Sequence, residues 1–263
     1  MNKIYFKKII YKIIDNTIKG ISFNYLSHNK LQTLINALKF NNSLIELDLS
    51  NNNLYDITSL IKALINNTCL KKLDLYANRI KDISPLKFLE NNTCLTELNL
   101  SYNRIKDISP LKFLENNTCL TKLDLSNNLQ IEDISSLNFL ENNTYLTTVD
   151  LSNNKIENII SLKAIINNTR LKYLFLSYNN IKDITPLKLL KNNKYLQKLD
   201  LSYNEIEDIT SLNFLENNTC LTELNLSFNE IEDISFLIKT IKNFKYLEKL
   251  NLEGNPILDN DEI

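Results

Sequence analysis

One repeating phrase constrains this chain more than any other feature. Leu95-Thr-Glu-Leu98-Asn-Leu100-Ser-Tyr-Asn103-Arg-Ile105-Lys-Asp-Ile108-Ser-Pro-Leu111-Lys-Phe-Leu114-Glu-Asn-Asn-Thr-Cys119 is followed at Leu120 by the same pattern again. Units begin at Leu44, Leu70, Leu95, Leu120, Leu146, Leu171, Leu196, Leu221 and Leu247, a period of 25 or 26 residues. A degenerate unit at Ile18 keeps Ile18, Ile21 and Phe23 and has lost the asparagine. Self-similarity at such a period is the signature of a stacked repeat, because one unit cannot bury its own apolar face.

The unit itself predicts two elements. Leu-x-Leu alternates with period two, as a short strand with one buried face does. Ile105, Ile108, Leu111 and Leu114 then recur every three residues, which suits helical turns on the opposite side. In-register stacking makes the nine strands a parallel sheet at roughly 4.8 Å spacing. Counting places from the first leucine of each unit, the ninth is always asparagine: Asn52, Asn78, Asn103, Asn128, Asn154, Asn179, Asn204, Asn229 and Asn255. A side-chain amide there can satisfy the backbone of its own turn and of the next, as a buried ladder.

Ser84-Pro85, Ser109-Pro110 and Thr185-Pro186 predict a capping hydroxyl followed by proline at the first helical position, with Thr58, Ser135, Thr210 and Ser235 repeating the cap and Ile160 breaking it. The Asn-Asn pairs after each helical turn are expected to take the left-handed conformation where a helix stops. They also create glycosylation sequons at Asn41, Asn66, Asn91, Asn116, Asn142, Asn167 and Asn217, for which a structural role is expected.

The consensus L-x-x-L-x-L-x-x-N-x-[IL] resembles the leucine-rich-repeat family over nearly the whole chain. The phrase I-x-D-I-S-P-L-x-F-L at residues 80–89 and 105–114 looks like internalin-type and phosphatase-regulator-type repeats, and the added Asn-Asn-Thr-Cys lengthens the unit toward the ribonuclease-inhibitor type. The resemblance implies an α/β solenoid: a leucine-rich-repeat arc of modest curvature, with a concave parallel sheet and short α or 3-10 segments on the convex side. Residues 1–43 are expected to form a capping helix and degenerate first repeat, residues 44–246 eight regular repeats, and residues 247–263 a truncated ninth repeat with a closing turn.

At the start, Tyr5, Phe6, Ile9, Ile10 and Ile13 share one helical face and Lys3, Lys7, Lys8 and Lys12 the other. This helix is read as a cap, so no membrane partner is expected, the alternative being a helix for a membrane surface or an acidic partner. At the other end only Leu258–Ile263 remain to cover the last strand, which leaves the C-terminal edge open to self-association, and the alternative to a binding role is a structural protein self-assembling through its solenoid ends and charged edges. Cys69, Cys94, Cys119 and Cys220 share one place before the strand; Cys94 and Cys119 stack within bridging distance, but free, semi-buried thiols are expected. Lys7, Lys8 and Lys12 interrupt the run a signal peptide needs, so a cytoplasmic, non-secreted protein is expected.

Composition narrows function. Thirty basic against thirty-one acidic residues leave no excess for a polyanion, so no nucleic-acid partner is expected. The balance is uneven, however: residues 1–43 hold seven lysines against Asp15, and residues 205–263 hold thirteen acids against four lysines. His28 is the only histidine, and no nucleophile constellation or phosphate loop occurs. Catalytic residues, cofactor and metal are all read as none, since the Asp row at the fifth place diverges rather than converging on a cation.

Function is then sought where the sheet face breaks its own pattern. The third place runs Glu46, Lys72, Glu97, Lys122, Thr148, Tyr173, Lys198, Glu223, Lys249, a charge ladder interrupted at Thr148 and Tyr173. The fifth place is acid or amide in eight units (Asp48, Asp74, Asn99, Asp124, Asp150, Asp200, Asn225, Asn251) and Phe175 in the other. With Tyr178, Tyr203 and Phe228 at the eighth place, Tyr173 and Phe175 form a candidate aromatic site for a protein or peptide. A secondary charged edge carries Arg79, Lys81, Arg104 and Lys106 early and Glu205, Glu207, Glu230 and Glu232 late. The expected function is a non-enzymatic scaffold or adaptor, and the phosphatase-regulator resemblance implies an adaptor to an enzyme.

Overall fold

A computed structural model describes residues 3–165, 168–244 and 246–258. Asn167 and residues 259–263, which carried one sequon and most of the expected end cover, lie outside these. Two compact bodies divide the chain, residues 1–128 and residues 129–263.

In the first body, β1 (Gly20–Ser22), β2 (Glu46–Asp48), β3 (Lys72–Asp74), β4 (Glu97–Asn99) and β5 (Lys122–Asp124) pair in parallel in chain order. Ile21, Leu47, Leu73, Leu98 and Leu123 align in register, and all are buried. Helices α1 (Lys3–Ile14), α2 (His28–Leu38) and α3 (Thr58–Ala63) are followed by 3-10 segments Ser84–Leu89 and Ser109–Asn116. The degenerate first unit therefore supplies a full strand, and α1 covers it, its buried Phe6 meeting Phe23 edge-on at 5.5 Å.

In the second body, β6 (Thr148–Asp150), β7 (Tyr173–Phe175), β8 (Lys198–Asp200), β9 (Glu223–Asn225) and β10 (Lys249–Asn251) repeat the arrangement, aligning Val149, Leu174, Leu199, Leu224 and Leu250. Its helical side consists of 3-10 segments Ser135–Asn142, Ile160–Ile165, Thr185–Asn192 and Thr210–Asn217, then α4 (Ser235–Thr240) and a 3-10 turn Ile241–Asn243. An apolar repeat of three matches the three residues per turn of a 3-10 helix, so the spacing puts every such side chain on one face. Val149 at the fourth place and the extra residue in Leu129-Gln130 are the departures from the consensus, and exposed Leu129 takes a left-handed φ of 60° to absorb the insertion.

The ninth-place asparagines form the expected ladder. Nδ2 of Asn179 donates to Leu151 O, Leu176 O and Ser177 O at 3.0–3.2 Å, while its Oδ1 accepts the Ile156 N–H at 3.0 Å. Asn103, Asn204 and Asn229 repeat these contacts.

Two local expectations need correction. Among the described residues, the Asn-Asn pairs that follow the helical turns do not adopt positive φ; each regular unit instead places a left-handed residue at its eighth place, Asn51, Ala77, Tyr102, Asn127, Asn153, Tyr178, Tyr203, Phe228 and Gly254. One asparagine of each pair, the first in Asn41-Asn42 and the second in the later pairs, is instead buried and caps the following chain, as Asn193 Oδ1 does for the N–H groups of Tyr195 and Leu196 at 2.8 Å. Where Thr58, Ser84, Ser109, Ser135, Thr185, Thr210 and Ser235 are expected to cap, the capping oxygen is likewise not theirs but that of the Asp two residues earlier. Asp82 Oδ1 accepts the Ser84 N–H at 2.7 Å, and at the apparent exception Asn158 accepts that of Ile160 at 2.8 Å.

Candidate functional site

The third-place ladder exists in both bodies. In the first, Lys72 Nζ lies 3.7 Å from Glu46 and 3.4 Å from Glu97. In the second, Glu223 bridges Lys198 and Lys249 at 2.9 Å each, and hydrogen bonding to Lys249, then Lys198, pulls its carboxyl down to about 2. Where the ladder breaks, the Tyr173 hydroxyl donates to Gln197 Oε1 at 2.8 Å across the sheet.

At the fifth place, the eight acids and amides all act alike, Oδ1 accepting the backbone N–H two residues on. Ser50, Tyr76, Ser101, Ser126, Ser152, Ser202, Ser227 and Glu253 all donate in this way, at 2.8–3.2 Å. This is an Asx turn, and it accounts for the row without a ligand. The carboxylates nevertheless crowd one another: burial, then the charges of Asp48 and Asp124, leave Asp74 above its ordinary value despite the Tyr76 N–H bond. Phe175 offers Ser177 no such acceptor. Its ring lies parallel to Tyr173 at 6.5 Å, with Lys198 Nζ 5.6 Å from its centroid. Tyr173 is exposed and Phe175 half-buried. Gln197 and Lys198 complete this surface, and neither is among the residues expected there from sequence, although register places them one strand from Tyr173 and Phe175.

The other three aromatics form a separate group in the turns after β7, β8 and β9. Tyr178 and Tyr203 stack at 4.0 Å, and Tyr203 and Phe228 at 4.3 Å, with interplanar angles of 10° and 13°. The hydrogen bond with Tyr178 pushes the Tyr203 hydroxyl above its ordinary value, helped by nearby Glu253. The stack ends on Gly254, where an added Cβ would come within 2.6 Å of the Phe228 ring. The five candidate residues are therefore two groups, a pair on the sheet face and a stacked row at its margin.

On the charged edge, Arg79, Lys81, Arg104 and Lys106 are exposed in the first body. In the second, Glu205 pairs with Lys182 at 3.1 Å. Glu207, Glu230 and Glu232 line a shallow depression with Asp208, Asp233 and Phe236. His28 is exposed at the start of α2, and no group of three His, Cys, Asp or Glu placed to hold a metal ion occurs among the described residues. All four cysteines are free; Cys69, Cys94 and Cys119 are exposed rather than semi-buried, and Cys220 is intermediate. At the C-terminal end, Leu250 is half-buried where its counterparts in β2 to β9 are closed off.

Family models for leucine-rich repeats match residues 93–139, 169–217 and 196–239 as paired copies, and residues 142–159 and 43–67 as single copies. An internalin C2 from Listeria monocytogenes is 30% identical, with this chain covering 82% of that one and 85% of its own length at a TM-score of 0.56. The chain belongs to the leucine-rich-repeat family. An internalin, InlF, of the same organism gives 28% identity and a TM-score of 0.67, covering 97% of this chain and 76% of that one. The functional domain of L. monocytogenes InlJ, which includes a cysteine ladder, shares the fold at 23% identity and a TM-score of 0.57, covering 92% of this leucine-rich-repeat chain and 55% of that one. A search of curated proteins gave no match. An internalin-like repeat protein is a scaffold suited to binding other proteins.

Proposed function

We propose that this leucine-rich-repeat protein is a non-enzymatic scaffold whose second body binds a protein or peptide on the exposed sheet face around Tyr173 and Phe175. The observation that carries the reading is the fifth place of β7. Eight units spend that residue on an Asx turn, and Phe175 gives up the turn acceptor to put an aromatic ring on the surface. Local rules broken without local benefit mark functional positions. Tyr173 and Phe175 offer a flat apolar surface, Gln197 and Lys198 a polar margin, and the stacked row Tyr178, Tyr203 and Phe228 a firm wall. Rigid aromatic anchors with a polar surround are the composition of interface hot spots.

The test is affinity purification from the native cell with the parent protein and the double variant Tyr173→Thr, Phe175→Asn, followed by titration of whatever the parent retains. The variant is expected to lose at least about thirtyfold in affinity, the effect of truncating a hot-spot aromatic. Glu97→Ala, in the first body's ladder, is expected to bind like the parent. Equal retention by the double variant would refute the site.

A further inference from the structure

The outer face of α1 does not suit a cap. A terminal repeat needs a polar outer face to stay in solution, and α2 obeys: His28, Asn29, Gln32, Thr33 and Asn36 are its exposed residues. In α1, by contrast, Ile4 is 67% exposed, Tyr5 59%, Tyr11 67% and Ile14 43%. Capping uses only the opposite side, where Phe6 and Ile13 are buried and Asn41 Nδ2 donates to Ile13 O at 2.7 Å. Spacings of three and four residues bring Ile4, Lys7, Lys8, Tyr11 and Ile14 along one outward stripe. Lys3 and Lys12 are also exposed, and the helix contains no acid. Asp15, just beyond it, is taken up by the Thr17 hydroxyl and N–H at 2.7 and 3.2 Å. Exposed Phe40, whose carbonyl accepts from Asn16 Nδ2, extends the apolar area beside Lys39.

We infer that this face of α1 binds an anionic lipid surface, lying in the plane of the headgroups. Charge complementarity selects that occupant: four lysines on a helix that contains no carboxylate attract anionic headgroups, while Ile4, Tyr11 and Ile14 enter the acyl boundary. Lysine stems can lie along the same apolar layer with their ammonium groups in water. No helix among the described residues is long and apolar enough to cross a membrane, so the contact is peripheral. It uses the first body alone and is independent of the aromatic site on β7.

The experiment is co-sedimentation of the full chain with phosphatidylcholine vesicles containing phosphatidylserine, beside pure phosphatidylcholine vesicles. Binding is expected to the first kind and not the second, and to disappear at high salt. Each lysine near such a surface contributes roughly fivefold, so Lys7→Glu, Lys8→Glu should lose more than about twentyfold. Tyr11→Ser, Ile14→Ser changes only exposed side chains, keeps every lysine and should lose about tenfold, a drop that pure charge adsorption would not show. Circular dichroism establishes that each variant is folded. Equal binding to both vesicle types, no binding at all, or unaltered binding by Tyr11→Ser, Ile14→Ser overturns the inference. So does concentration-dependent light scattering that Lys7→Glu, Lys8→Glu abolishes, because the face would then serve a second copy of the chain.

Discussion

Replacing Phe175 by Asn separates the two roles that the fifth place of β7 could serve, packing and binding. Truncating a phenylalanine packed in a core costs about 3–5 kcal/mol, but Phe175 is half-buried on the sheet face and its losses are small. The contact with Lys198 at 5.6 Å is worth about 0.5–1 kcal/mol at an exposed site. The parallel pair with Tyr173, its centroids 6.5 Å apart, lies near the outer limit of aromatic pairing and contributes about 0.5 kcal/mol. Against this, Asn supplies the Ser177 N–H with the acceptor that Asn225 gives Ser227 at 3.2 Å, a gain of about 0.5–1.5 kcal/mol. Asn also avoids adding a charge between Asp150 and Asp200, the crowding that already raises Asp74. The net change in unfolding free energy is therefore within about 1 kcal/mol of zero. Urea denaturation measures it, and amide exchange reports the new hydrogen bond as slower exchange at Ser177. A loss of about 3 kcal/mol or more would mean that Phe175 is a core residue, and the binding reading would lose its main support.

Three further outcomes are expected. Asn179→Ala removes an acceptor from the Ile156 N–H and a donor shared by three carbonyls, so it should cost about 3 kcal/mol or more in urea unfolding; a loss below about 0.5 kcal/mol would contradict the ladder. The fold lowers the Glu223 pKa to about 2, so its stabilisation is fully present above the ordinary glutamate range near 4.5 and fades as pH falls through about 2; a carboxyl-carbon NMR titration with a midpoint near 4.5 would show that Lys198 and Lys249 do not hold it. Cys69, Cys94 and Cys119 should react rapidly with a thiol reagent in the folded protein and Cys220 more slowly, with all four titrating in denaturant without reductant; recovering two would reveal a Cys94–Cys119 bridge.

The leucine phase and the ninth asparagine are legible in the sequence because each repeats in every unit and each has a single physical use. Sequence misleads where two residues in the same phrase could do one job. In Asp-Ile-Ser-Pro both Asp82 and Ser84 carry a capping oxygen, and the hydroxyl beside the proline is the more obvious of the two; Ile160 is the clue against it, since its segment forms on Asn158 alone. The left-handed position is hidden for a different reason. It is filled by Ala77, Tyr102, Tyr178, Tyr203 and Phe228 as readily as by asparagine, against their intrinsic preference. There the tertiary context prevails: the next residue's amide holds the carbonyls of places six and seven, so the turn is fixed whatever side chain precedes it. Phe175 is legible as an anomaly because the other eight residues at its place agree, but its cover by Lys198 depends on rotamers no spacing reveals.

The two aromatic groups of the second body differ in what they leave for a partner. In the row at the sheet margin Tyr203 has both faces covered, one by Tyr178 and one by Phe228, and Phe228 in turn meets Gly254. Tyr203 and Phe228 therefore present mainly their edges, while Tyr178, stacked on one side only, is the most exposed of the three. Gly254, whose φ of +73° its non-glycine counterparts at the eighth place match in sign, is required because a Cβ would sit 2.6–3.0 Å from three Phe228 ring carbons. A closing residue matched so closely to the row it terminates belongs to a structural seam, which the positive φ of all three aromatics reinforces, since their backbones are committed to the turn. Tyr173 and Phe175 have no such partner stack: their rings lie side by side at 6.5 Å, and Phe175 forgoes a turn bond to be there. Binding energy on this body should therefore concentrate on β7, with the stacked row setting the rim against which a partner is positioned.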